Sequence, residues 1–110
     1  MPRTQHLNDF ELVLLLAALR VDEAYGVQIA REVERTTGRR VLMGAAYTAL
    51  DRLEQRGLVS SRLGDPTPER GGRAKRYFRV TPRGLEAIKD TRRALETLWT
   101  GVPELKEERT

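Results

Sequence analysis

The residues best suited to chemistry in this 110-residue chain are cationic and cluster late in the sequence. Arg70, Arg73, Lys75, Arg76 and Arg79 fall within ten positions that hold no acid, with Gly71 and Gly72 among them. Guanidinium and ammonium groups pair with phosphates, and paired glycines let a backbone approach a phosphate closely, so the run suits a polyanion. The remainder of the chain carries 15 basic against 16 acidic residues, which makes the formal charge of +4 a local patch on a near-neutral body. A solvated charge run is the competing reading, and Arg76 is the least suited to binding because it alternates onto the same strand face as Phe78.

A second constellation has helical spacing. Thr48, Arg52 and Gln55, with Ala45 before them, share one side of a helix. Arginine can read guanine bidentately, glutamine can read adenine, and threonine can reach a base or a phosphate. The alternative is an ordinary exposed face. Tyr47 stands between a phosphate hydrogen bond and partial core packing. Asp51 and Glu54, the nearest thing to paired carboxylates, read as helix surface, although acids beside a phosphate backbone oppose binding.

Catalytic alternatives are few. The chain has no cysteine, which excludes disulfides, thiolate zinc sites and thiol nucleophiles, and its single histidine, His6, cannot build a multi-histidine metal centre. There is no glycine-rich phosphate loop and no catalytic dyad, so no cofactor, no metal and no enzyme activity are expected. The longest apolar run, Leu12 to Leu19, is far short of the roughly 20 residues that span a bilayer. Asp9 and Glu11 precede it where a signal peptide would carry positive charge, so a cytoplasmic protein with no membrane partner is expected.

Each constellation needs an element to hold it. Residues 1–7 lack periodicity and read as a flexible arm. Asn8 and Glu11 have capping-box spacing and open a helix to about Arg20, apolar almost all round. A second helix runs from Tyr25-Gly26 to about Thr37, with Val27, Ala30 and Val33 inward, Gln28, Arg31, Glu32 and Arg35 outward, and Gly38 as its stop. The third covers about Gly44 to Arg56, burying Ala46, Leu50 and Leu53, and ends at Gly57. Leu58–Leu63 and Ala74–Thr81 alternate as strands around the Gly/Pro-rich segment 64–72, a β-hairpin. Thr81-Pro82 starts a last helix whose Leu85, Ile88, Leu95, Trp99 and Val102 form a heptad-like seam, widened by Leu98. That seam exceeds what one side of a small core needs. The reading is α+β, mainly α. It comprises a flexible arm (1–7), a winged helix-turn-helix (8–81), a long C-terminal helix (82–102) and a charged tail (103–110). In that arrangement the third helix enters a major groove while the hairpin follows the adjacent backbone or minor groove.

Three stretches carry a more specific resemblance: Glu23-Ala24-Tyr25-Gly26-Val27-Gln28-Ile29, the segment Gly44 to Val59, and the segment Gly71 to Gly84. In order and spacing the chain resembles the PadR family of bacterial transcriptional regulators, in particular small members with a single C-terminal helix. Members commonly have a larger aliphatic residue at Ala46, a proline or small residue at Thr48, and a proline or basic residue at Ala74. The resemblance implies a homodimeric repressor on a palindromic double-stranded DNA operator, with dimer contacts from Leu85, Ile88, Leu95, Leu98, Trp99 and Val102. It also implies release by a small aromatic or hydrophobic effector, for which Trp99 is the stacking candidate. The expected DNA contacts are Ala45, Tyr47, Thr48, Arg52 and Gln55 on the third helix, and Arg70, Gly71, Gly72, Arg73 and Lys75 on the wing. A winged helix serving instead as a protein-binding or RNA-binding adaptor is the alternative.

Overall fold

A computed structural model describes residues 5–66 and 74–106. Four helices and a two-stranded antiparallel hairpin follow one another as α1 (Asp9–Arg20), α2 (Gly26–Thr37), α3 (Met43–Gln55), β1 (Val59–Pro66), β2 (Ala74–Val80) and α4 (Pro82–Trp99), with a short 3₁₀ turn at Pro103–Leu105. α1 begins at a complete capping box. The Asn8 side chain accepts from the Glu11 amide at 2.8 Å, and the Glu11 carboxylate accepts from the Asn8 amide at 2.9 Å. Its apolar surface makes it the central post of the core, and Leu14 and Leu15 are wholly buried against Ile29 of α2 and Leu50 and Leu53 of α3.

The wing is bolted to α3 by a single turn. Gly57 adopts φ of 77°, its amide donates to the Glu54 carbonyl at 2.9 Å, and the Leu58 amide donates to the Leu53 carbonyl at 2.9 Å. These two bonds satisfy orphan carbonyls of α3 and drop the fully buried Leu58 over the helix end. β1 and β2 pair from Val59↔Val80 to Leu63↔Arg76, then shift register before Pro66↔Ala74. The link before α2 lies along β2, where the Phe78 amide donates to the Ala24 carbonyl at 2.8 Å and Tyr25 bridges Tyr77. At the far end, the Thr81 hydroxyl donates to the Gly57 carbonyl at 2.7 Å and the Thr81 amide donates to the Leu58 carbonyl at 3.1 Å, so α4 starts in contact with the wing root.

Three sequence expectations change. Residues 5–7 are not a free arm. Leu7 is buried and its amide donates to the Thr91 hydroxyl at 2.9 Å, while Arg56 binds Glu11 at 3.0 Å and donates to Gln5 and the His6 carbonyl at 3.2 Å each. Glu32 does not face outward. It is buried between Arg20 (2.6 Å) and Arg35 (2.7 Å), where foremost Arg35 and then Arg20 lower its pKa from 4.5 to about 2. α4 stops at Trp99, because Thr100 is extended and Gly101 turns the chain at φ of 84°. Val102 therefore lies beyond the helix, and an ordered 3₁₀ turn follows at Pro103–Leu105.

Candidate nucleic-acid interface

Ala46, Leu50 and Leu53 anchor α3 in the core, which turns Ala45, Thr48, Arg52 and Gln55 outward together. All four are exposed, and among the described residues Arg52 makes no ion pair. The face is thus open, with donors and acceptors free to meet base edges. Tyr47 is separate from it. Its ring is half-buried against Gly26 of α2, where an added Cβ would collide with the ring and hydroxyl, so packing accounts for Tyr47.

Of the expected wing residues, Arg70, Gly71, Gly72 and Arg73 lie outside the described residues. Lys75 lies within them at the start of β2, with its ammonium 4.4 Å from the centre of the Tyr25 ring. Tyr25 in turn meets Tyr77 edge-to-face at 5.9 Å, and Arg62 covers Tyr77 at 4.7 Å. Alternating cations and rings hold two positive charges in place along the hairpin, away from its root, without neutralising them. Arg79 is exposed on the same strand. The structure does not bring Arg76 into this group, since both its side-chain ends are paired with Asp51 and Glu54 of α3.

Sequence reasoning missed that pairing, and the one available signal was the strand alternation placing Arg76 inward beside Phe78. The Arg76 guanidinium lies 4.7 Å above the Phe78 ring. The Ser61 hydroxyl donates to the Glu54 carboxylate, its oxygen 2.8 and 3.0 Å from the two carboxylate oxygens. Ser61 foremost, and then Arg76, holds the Glu54 carboxyl below the ordinary carboxylate value against the opposing effect of burial.

Of the expected dimer residues, Leu85, Ile88, Leu95, Leu98 and Trp99 lie on α4 and Val102 lies beyond it. Gly84, Ala87 and Thr91 are buried against the core. Beyond Thr91 the same stripe runs on past the core through Leu95, Leu98 and Trp99, which are exposed, Leu98 at 74% and Trp99 at 57%, and Leu85 is exposed beside it. Leu12 and Leu16 of α1 meet Ile88, Leu95 and Trp99 in an open, largely apolar groove of about 230 Å³. Val102 sits apart, near the turn after the helix. Among the described residues no helix is long and apolar enough to cross a membrane, and no cluster of His, Cys, Asp or Glu could hold a metal.

Comparison with known proteins places this architecture. Residues 15–90 match the sequence profile of the transcriptional regulator PadR-like family. The chain belongs to the PadR-like family. A relative, the transcriptional regulator Rv3488 of Mycobacterium tuberculosis, is 42% identical over 79 residues, spanning 70% of this chain and 67% of the relative. A PadR family regulator from Eggerthella lenta superposes with a TM-score of 0.68 at 25% identity, covering 91% of this chain and 85% of that one. A transcriptional regulator from Clostridium thermocellum reaches 0.72 at 21% identity, covering 88% and 89%, and shares the fold. PadR-like proteins are regulators of transcription and not enzymes, and the winged-helix elements α1 to β2 are the part of this chain that the family profile spans almost entirely.

Proposed function

We propose that this PadR-like regulator binds duplex DNA as a two-fold dimer, with α3 in the major groove and the wing along the flanking backbone. The observation that carries the reading is the open face of α3. Ala45, Thr48, Arg52 and Gln55 point the same way, away from a helix whose other side is wholly buried. Lys75 and Arg79 supply cations on the adjoining strand, and Arg70, Gly71, Gly72 and Arg73 continue them in sequence. The exposed Leu95, Leu98 and Trp99 support the dimer, since an isolated chain would leave that apolar strip in water. A dimer sets two α3 helices on half-sites about one helical turn, or a multiple, apart, which suits a palindromic operator and a repressor that excludes other proteins from it. A small aromatic or hydrophobic effector would find Trp99 and the Leu12–Leu16–Ile88–Leu95 groove beside it.

Titration of the DNA upstream of the protein's own gene at several salt concentrations tests this reading. Log affinity should fall steeply with log salt, by about 0.9 per phosphate neutralised. Arg52→Ala should cost about 1–3 kcal/mol at one operator position, whereas Arg73→Ala with Lys75→Ala should weaken all sequences alike. Affinity indifferent to salt, or tighter binding to single-stranded RNA than to duplex DNA, would refute it.

A further inference from the structure

Resting on that assignment of α3, we propose that Arg76 is the internal counter-ion of the recognition helix, shielding DNA phosphates from Asp51 and Glu54 without touching DNA itself. The helix carries an electrostatic fault. Asp51 lies about 60° around the axis from Thr48, at the edge of the groove-facing side, and Glu54 follows on the flank beyond it. Asp51 is half-exposed, at 51%. Two carboxylates at that edge would meet the phosphates lining the groove.

The wing supplies the remedy. Arg76 places one terminal nitrogen 2.7 Å from Asp51 and the other 2.6 Å from Glu54, while its Nε donates to the Ser61 hydroxyl at 3.2 Å. Ser61 donates onward to Glu54. Each nitrogen of the guanidinium therefore has an acceptor inside the protein, and the group sits over the Phe78 ring. An arginine so engaged is a poor phosphate ligand, although its sequence neighbours make it look like one. Its placement offsets one of the two negative charges, and the planar fork meets both carboxylates at once.

The shield predicts a rescue, on removing the two acids, that a direct phosphate contact does not. Binding of a random-sequence duplex of about 30 base pairs, at about 50 mM and 200 mM salt, provides the readout, because phosphate affinity suffices and no operator is needed. Arg76→Gln should bind roughly tenfold more weakly at the lower salt, with the difference shrinking at the higher. Adding Asp51→Asn and Glu54→Gln to that variant should restore at least wild-type affinity, because two negative charges are removed against one positive, and the same pair in the wild-type background should also tighten binding. Arg76→Lys, which keeps the charge should Arg76→Gln fail to fold, should lose less than tenfold, because the ammonium retains the charge but not the fork that meets both carboxylates. A triple variant as weak as Arg76→Gln would show that Arg76 grips phosphate directly and would overturn the proposal. So would full binding by Arg76→Gln, or a tenfold loss in Arg76→Lys. Failure of the wild-type protein to bind duplex at either salt would instead overturn the DNA-reading assignment, and the shield with it.

Discussion

Gly84→Ala is the sharpest single test of how α4 is seated on the wing. Gly84 is buried in the first turn of α4, and a Cβ there would run into the backbone carbonyl of Leu58 and the Val80 side chain. The Leu58 carbonyl cannot rotate aside, because it accepts the Thr81 amide at 3.1 Å. The helix must lift or the bond must stretch. Overpacking of this kind costs about 2 kcal/mol, and weakening the Thr81 bond about 1 more. Against this, alanine gains about 1 kcal/mol over glycine inside a helix. The net loss is about 2 kcal/mol, which lowers the melting midpoint of a domain this size by about 8 °C. Thermal unfolding followed by circular dichroism at one fixed protein concentration measures it. Gly44→Ala is the control, since nothing lies within 4 Å of that position and only the helical gain applies. An unchanged or higher midpoint for Gly84→Ala would refute the packing argument.

Further outcomes follow from other contacts. Glu32 has a folded-state pKa depressed to about 2, so its ion pairs stabilise the protein fully above its ordinary value of 4.5 and lose effect as pH falls towards 2. Glu32→Gln should therefore flatten the acid limb of stability in that window, as read by urea unfolding at stepped pH. Trp99→Ala with Leu98→Ser should shift the protein to monomer in sedimentation while leaving the helical spectrum intact, because both side chains are mostly exposed within one chain. Asn8→Ala removes the α1 cap and should cost about 1 kcal/mol, measured by the same urea titration.

Much of the fold was legible because its signals are local. Asn8 with Glu11, Thr81 before Pro82, and Gly38 and Gly57 as left-handed stops each act within one turn, and each is found where its residue type requires. Gly101 followed by Pro103 was an equally local stop, but the apolar seam running on to Val102 obscured it. The remaining misses involve partners distant in sequence. Leu7 is ordered by Thr91, Glu32 by Arg20, and Arg76 by acids on α3. An acid-free window around Arg76 says nothing about carboxylates brought beside it by the hairpin. The open α3 face was legible for the opposite reason: its orientation follows from the buried stripe on the same helix.

The Thr91 hydroxyl has a consequence for the order in which the chain assembles. It donates to the Ala87 carbonyl at 2.7 Å while accepting the Leu7 amide, fastening together segments 84 positions apart in sequence. Closing so long a loop has a large entropic cost that only a nearly finished structure can offset. A clasp formed late in folding, as its sequence separation predicts, would make Thr91→Val speed unfolding more than it slows folding in stopped-flow kinetics. In a regulator, that makes a single buried hydroxyl a determinant of how long each folded copy lasts.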